Sequence, residues 1–269
     1  MTLPTPAGDA GRAALAALRA SLVGALLVFD FDGTLSPIVP DPDSARAHPD
    51  VPGLLTELAQ RGARIVVLTG RPARIAVTYG SLDGVPGLVV LGHYGAERWQ
   101  DGTVTAEPVP AGVESVRRQL PHLLAEVGAP EGTYIEDKGR AVAVHTRRST
   151  DPQGGFDLLQ PALAALADET GLVLEPGRLV LELRPGGGDK GAALHDLVAA
   201  ERPRVLLFAG DDLGDLAAFD AVDALRAQGQ PALLVCSGSV EVTALAERAD
   251  VVVDGPDGVV DLLKALRDG

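Results

Sequence analysis

Asp30 and Asp32 follow directly on the apolar run Ala25 to Phe29, within the stretch VFDFDGTLSP (28–37). Two carboxylates this close cannot both ionise cheaply in a low dielectric. A divalent cation removes the conflict, and Mg²⁺ takes oxygen ligands while sharing them with substrate phosphate. Another carboxylate stands at Asp211, with Asp212 and Asp215 close behind, 211 − 30 = 181 residues along the chain. It too follows an apolar run, Val205 to Ala209. Asp30, Asp32, Asp211, Asp212 and Asp215 are therefore the candidate metal group. A lone D-x-D is common in loops and caps; an apolar strand leading into DFDGTL is far more specific. Gly33 lets the backbone approach an anion, and its N–H can join an anion-holding nest.

Two further groups could serve a phosphoryl oxygen. Thr69 ends the apolar run Arg64 to Leu68 and precedes Gly70 and Arg71. Its hydroxyl can donate to an anion, or it can cap the helix that Arg71-Pro72 introduces. Lys190 follows three glycines and opens a helical stretch. A cation there opposes the helix dipole unless an anion is near; its ordinary alternative is a surface lysine.

The elements that must position these groups read as alternating strands and helices. An alanine-rich amphipathic helix spans 9–21. Strands are expected at 25–29, 64–68, 88–91, 205–209, 232–236 and 251–253. Helices are expected at 51–61, 72–79, 190–200, 215–226, 240–248 and 259–267. Near-continuous apolar strands between helices imply a parallel sheet covered on both faces. Ligands then bind outside the carboxyl ends of the strands, where the polar clusters fall.

The middle of the chain breaks the pattern. A helix at 113–127 leads into strand, turn and strand within GTYIEDKGRAVAVHTRR; a helix at 156–170 leads into GLVLEPGRLVLELRP, which reads the same way. Used twice, a helix-hairpin unit makes a four-stranded antiparallel sheet with helices on one face. The expected fold is α/β: a Rossmann-like core from 1–107 and 186–269, interrupted by an α+β cap at 108–185. Alternation puts Leu179, Leu181 and Leu183 on one face with Val142, Val144 and Thr146. Glu182 and Arg184, with His145 and Arg147, share the other. That polar face is either a solvated surface or a grip for a hydroxyl-rich ligand, for which Glu136, Lys138, His145, Arg147, Glu182 and Arg184 are the candidates.

DFDGT, LTGR, GGGDKG and GDDLGD together resemble the four motifs of the haloacid dehalogenase-like phosphatases. DFDGTLSPIVPDPDSA, LTGRP, GHYGAE, EDKGRAVAVHTR and LELRPGGGDKGAAL resemble the trehalose-6-phosphate phosphatases among them. The likeness covers most of residues 25–225. It implies a Rossmann-like core with an antiparallel-sheet cap, Mg²⁺ dependence, and hydrolysis of trehalose 6-phosphate, a small phosphorylated disaccharide, as the last step of trehalose synthesis. By the resemblance Asp30 is the nucleophile, and Asp32 protonates the leaving sugar oxygen and then activates water. Asp30, the Asp32 carbonyl and Asp211 would hold the metal, and Asp212 or Asp215 would orient its waters or Lys190. Thr69 and Lys190 would neutralise the transferring oxygens, with Gly33, Gly70 and Arg71 beside the phosphate. Where the family has Thr-Asp-Glu after the second motif aspartate and one more residue, this chain has Gly214, Asp215 and Leu216. The core motifs leave open a phosphatase for sucrose or mannosyl phosphate, a phosphosugar mutase, and a non-catalytic phosphosugar sensor.

Composition bounds these readings. The formal net charge of −14 over 269 residues argues against a nucleic-acid partner, which needs Lys and Arg to displace counterions. The single cysteine, Cys236, excludes an internal disulfide and fits a reducing compartment. No basic-then-apolar leader is expected at the N-terminus, and no run approaches the about 20 apolar residues of a membrane span. A cytoplasmic monomer or weak oligomer is the expectation.

Overall fold

The computed structural model describes residues 5–186, 188–238 and 243–269. These form two compact units, residues 1–106 with 188–269, and residues 107–187.

The first unit contains, in chain order, α1 (Asp9–Ala20), β1 (Ala25–Phe29), α2 (Val51–Gln60), β2 (Arg64–Leu68), α3 (Ala73–Gly80), β3 (Val89–Gly92), β4 (Glu97–Gln100) and β5 (Thr103–Ala106). The second unit follows with α4 (Ala111–Val127), β6 (Tyr134–Asp137), β7 (Val142–His145), α5 (Pro152–Thr170), β8 (Leu172–Gly177) and β9 (Val180–Pro185). The chain then completes the first with α6 (Lys190–Glu201), β10 (Val205–Gly210), α7 (Leu216–Ala227), β11 (Ala232–Gly238), α8 (Thr243–Arg248), β12 (Val251–Asp254) and α9 (Gly255–Asp268). The helix expected from residue 240, and Gly187 of the glycine run, lie partly or wholly outside the described residues.

The eight strands of the first unit run in the order β12-β11-β10-β1-β2-β3-β4-β5. The six from β12 to β3 are parallel; β4 and β5 are antiparallel additions. Their apolar runs are continuous because both faces are covered. Leu27, Phe29, Ile65, Val67, Leu207 and Val235 pack with α1, α2, α3 and α9. The alternate residues Leu26, Val28, Val66, Leu68, Phe208 and Leu234 pack with α6, α7 and α8. Each such Leu, Val or Phe contributes about 1.5–3 kcal/mol on full burial. Strand β1 lies between β10 and β2, so connections leave it in opposite directions. That is the switch point at which an open α/β sheet forms its crevice.

Sequence periodicity did not find the β4–β5 hairpin. Asp101 and Gly102 join its strands with φ of 48° and 80°, the two consecutive positive values that favour Asp-Gly in a tight hairpin. α9 also starts four residues before the expected 259.

The second unit is a four-stranded antiparallel sheet ordered β6-β7-β9-β8. Val142, Val144, Leu181 and Leu183 on one face pack against Val113, Val116 and Leu120 of α4 and Leu159, Leu163 and Leu166 of α5. Leu179 does not continue that row as expected. It precedes β9 with φ 59°, and its carbonyl accepts the Thr146 N–H at 3.0 Å. Among the described residues no helix is long and apolar enough to cross a membrane.

Candidate active site

Strand order brings the distant acidic groups together. Asp30 follows β1 and Asp211 follows its neighbour β10; the Asp30 N–H donates to the Ala209 carbonyl at 2.9 Å. Asp30, Asp211 and Asp215 are buried, and each places a carboxylate oxygen within 4.8 Å of the others. Lys190, only 4% exposed, reaches into this group from the first turn of α6. Its Nζ lies 2.7 Å from Asp30 Oδ1 and 2.7 Å from Asp215 Oδ1. Asp189 caps α6 by accepting the Ala192 N–H at 2.8 Å. The carboxylates therefore supply the countercharge that a lysine at a helix start requires.

The charges shift one another. Burial raises Asp30 from its ordinary 3.8 to about 7; Lys190 opposes the rise and Asp215 adds to it. Burial, then the Asp30 charge, pushes Asp211 up to about 9. Burial works against the Lys190 ammonium, but Asp30 and Asp215 outweigh it and raise its pKa. With one cation among three buried carboxylates, the cluster is short of positive charge.

Asp215 is committed to the protein. One oxygen takes Lys190, and the other accepts the Asp211 N–H at 3.0 Å and the Asp212 N–H at 3.3 Å. Asp212 is exposed and accepts the Gly214 N–H at 2.9 Å, completing a capping box over the short turn at 213–215. Asp211 differs: its Oδ1 is buried with no hydrogen-bond partner among the described residues. A hard oxygen set with an unpartnered buried oxygen, deficient in positive charge, fits Mg²⁺.

Gly33 has φ 74°, and a Cβ built there would lie 1.9 Å from Asp211 Oδ2. Only glycine allows the loop after β1 to sit that close to the end of β10. The Gly33 N–H expected to face an anion donates instead to the Ser36 carbonyl at 2.7 Å, and the Gly33 carbonyl accepts the Ser237 hydroxyl at 2.6 Å.

Thr69 is buried after β2, and its Oγ1 accepts the Arg71 N–H at 3.1 Å. Thr69 does not cap the helix as the alternative expected: α3 begins at Ala73 with Pro72 at its N-cap and no side-chain cap, so the bond to Arg71 closes a local turn instead. Above Gly70 stands Tyr94; a Cβ at Gly70 would be 2.7 Å from its hydroxyl. His93, Tyr94 and Gly95 have consecutive positive φ of 46°, 57° and 101°, a strained run of the kind found where a site fixes its backbone. His93 and Tyr94 donate their N–H groups to the carbonyls of Arg71 and Thr69, each at 3.0 Å.

Arg71 turns its fork to Asp32, with Nε 2.6 Å from Oδ2 and Nη2 2.7 Å from Oδ1. This bidentate pair holds the carboxylate plane, and it raises the Arg71 pKa against the opposing effect of burial. Asp32 remains more open than Asp30, its side chain 40% exposed.

On the polar face of the second unit's sheet, His145 Nε2 lies 2.7 Å from Glu136 Oε2, and Lys138 Nζ lies 2.6 Å from Glu182 Oε2 and 4.0 Å from Glu136. Ala143, fully buried, lies in register with Glu136 and Glu182 on the flanking strands. Arg184 pairs with Glu175 at 2.6 Å. Arg147 is exposed at the sheet's end, and its Nη2 donates to the Arg178 carbonyl at 3.3 Å. The sequence reading did not single out Tyr134, whose ring stacks on His145 at 4.5 Å and 3°.

A family model described as trehalose-phosphatase matches residues 28–252. The chain belongs to the trehalose-phosphatase family. It is 35% identical over 214 residues to the trehalose-phosphate phosphatase of Mycobacterium avium, covering 77% of this chain and 53% of that protein. The chain thus spans about half the length of the curated relatives it matches first. Its fold is that of the C-terminal domain of the C. albicans trehalose-6-phosphate phosphatase, with TM-score 0.76, 22% identity, and 100% of this chain and 99% of that one covered. It is shared by a trehalose-6-phosphate phosphatase related protein, with TM-score 0.71, 24% identity, and 90% and 97% covered. The stretches GHYGAE and EDKGRAVAVHTR, on which the family likeness partly rests, carry Tyr94 and His145.

Proposed function

We propose that this chain hydrolyses trehalose 6-phosphate to trehalose and phosphate, with Mg²⁺ and through a phosphoryl group carried on Asp30. The observation that carries this reading is the buried contact of Lys190 Nζ with Asp30 Oδ1 at 2.7 Å, beside Asp211 at the switch point of the sheet. A carboxylate so placed is a nucleophile with a fixed cation beside it. Asp30, the Asp32 carbonyl and Asp211 would hold Mg²⁺, which supplies positive charge for the phosphate oxygens and keeps Asp30 ionised.

Asp30 attacks phosphorus as the bond from phosphorus to the sugar oxygen breaks, and Asp32 gives that oxygen its proton. Water then attacks the phosphoryl group on Asp30, Asp32 takes the water's proton, and phosphate leaves with Asp30 restored. Lys190 and Thr69 neutralise charge on the transferring oxygens. The bidentate bond from Arg71 keeps the Asp32 carboxylate in one plane until an incoming oxygen replaces one of its two partners. Asp215 positions Lys190, and the polar face of the second unit, with Glu136, Lys138, His145 and Glu182, recognises the sugar.

Phosphate release from trehalose 6-phosphate, glucose 6-phosphate and sucrose 6-phosphate, with and without Mg²⁺, tests each part. Preference for the first sugar and loss of turnover in EDTA are expected. Equal turnover on all three removes the substrate reading but keeps the reaction class, and Asp30→Asn turning over normally removes the mechanism.

A further inference from the structure

The two bonds from Arg71 to Asp32 hold only if the Arg71 guanidinium itself has a fixed place. Its backbone does not supply one, because three side-chain carbons separate Cα from Nε. The fixing comes from two aromatic rings: the guanidinium carbon lies 5.8 Å from the Phe31 ring centroid and 5.4 Å from that of Tyr79. Phe31 is a fully buried core side chain. Tyr79 is a different case. It sits in the last turn of α3, half-buried, and its ring also carries a second guanidinium, that of Arg46, with the guanidinium carbon 4.5 Å from the centroid.

The Tyr79 ring thus joins two cations, Arg46 and Arg71, in one bracket. Its surroundings leave it little freedom. Its hydroxyl donates to Asp43 Oδ1 at 3.3 Å, and its carbonyl accepts the Ala47 N–H at 3.1 Å. Arg46 is tied to its own loop, Nη1 donating to the carbonyls of Asp43 at 2.9 Å and Ala45 at 2.6 Å. An electron-rich ring face attracts a cation within about 6 Å. Here one ring serves two: Arg46, an exposed residue, holds the ring, and the ring in turn holds Arg71 against Asp32.

We infer that Tyr79 is a positioning residue for the proposed reaction, holding Arg71 so that the Asp32 carboxylate keeps the orientation required for proton transfer to and from the sugar oxygen and water. The inference rests on the function proposed above. Tyr79 touches neither Asp30 nor Lys190 in the described structure; its reach into the chemistry runs through Arg71 alone. Proton transfer depends on hydrogen-bond alignment, so losing the ring slows turnover more than it weakens substrate binding.

The test is steady-state kinetics on trehalose 6-phosphate with Mg²⁺ for Tyr79→Leu, Tyr79→Phe, Arg71→Met and the Tyr79→Leu/Arg71→Met pair, each with its melting temperature. Tyr79→Leu is expected to lower kcat about fivefold, the size of one partly desolvated cation–π contact, with KM within about twofold by the same reasoning. Tyr79→Phe, which keeps the ring, restores kcat. In the Arg71→Met background, Tyr79→Leu makes no further change, because the residue it acts through is gone. Independent losses that multiply in the double variant, or a Tyr79→Leu enzyme with wild-type kcat, overturn the inference.

Two readouts guard against other failures. If Tyr79→Leu does not fold, Arg46→Met unpins the same ring from the exposed loop and is expected to lower kcat in the same direction; an unchanged kcat there counts against the bracket. The Arg71 Nε–H resonance of the folded protein, shifted and slow to exchange while bonded to Asp32, should lose both features in Tyr79→Leu. That spectrum needs no turnover, so a wild-type protein inactive on the sugar phosphate would refute the proposed function while the bracket is still decided by the resonance.

Discussion

Consider Asp211→Asn in protein stripped of divalent ions with EDTA. In the wild-type fold, Asp30 sits at about 7 and Asp211 at about 9, both above the ordinary 3.8. A raised folded-state value gives stability that is full below the unfolded pKa and lost as pH rises through the folded one. Metal-free wild type should therefore weaken from about pH 4 to about pH 9. At about 1.36 kcal/mol per pH unit, ionising Asp30 costs about 4 kcal/mol by neutral pH, and keeping the proton on Asp211 at pH 8 costs about 6 kcal/mol. Relaxation and an effective dielectric above that of dry protein make both upper limits. Recovery of about 2 kcal/mol on removing the Asp211 charge is the conservative expectation, equivalent to about 4–8 °C in melting temperature for a chain of this size. Differential scanning calorimetry in EDTA at pH 5 and pH 8 reads it directly. Asp211→Asn should melt above wild type at pH 8, with the gain shrinking toward pH 5. Adding Mg²⁺ should raise the wild-type melting temperature and leave the variant unmoved. A variant that melts at or below wild type at both pH values would refute the claim that these carboxylates crowd one another's charge.

Three further outcomes follow from the same geometry. Lys190→Met removes the cation bridging Asp30 and Asp215 and should destabilise the fold by about 3–5 kcal/mol, read from urea unfolding at pH 8. Gly33→Ala places a methyl on Asp211 in a left-handed backbone; a loss of about 1–3 kcal/mol and a weaker Mg²⁺ titration by calorimetry should appear together, and an unchanged Mg²⁺ affinity would show that the close approach is not needed. Tyr134→Leu removes the ring stacked on His145, so KM for trehalose 6-phosphate should rise several-fold, up to about tenfold, at constant kcat; a fall in kcat alone would place Tyr134 outside sugar recognition.

What was legible in the sequence follows from how strongly each feature is encoded. The buried parallel strands at 25–29, 64–68 and 205–210 announce themselves because both faces are covered, and the acidic groups that follow them converge because strand order joins β10, β1 and β2. The antiparallel β4–β5 edge is short and half-exposed, so its only sharp signal is Asp101-Gly102. The side-chain partners were less accessible. That Arg71 would engage Asp32, that Asp215 would spend both oxygens on Lys190 and the loop, and that the Gly33 N–H would serve Ser36 are matters of orientation, which residue type does not encode. Composition carries one further signal. The chain has only three tyrosines, and all three lie against candidate groups: Tyr79 beside Arg71, Tyr94 above Gly70, and Tyr134 on His145. Where aromatics are 3% of the chain and leucine and valine fill the interior, a tyrosine is there for its ring face or its hydroxyl.

On the function proposed here, the antiparallel sheet of the second unit keeps anchoring and sugar recognition on opposite sides of the same backbone. Val142, Val144, Leu181 and Leu183 anchor the helices, while Ala141, Ala143, Glu136 and Glu182 occupy the intervening positions and bear no helix. Exchanging a residue of the second set therefore leaves the anchoring set untouched, apart from its shared main chain. On that reading, an exchange at Glu136 or Glu182 changes the groups offered to a sugar while the apolar row that carries the helices stays as it is.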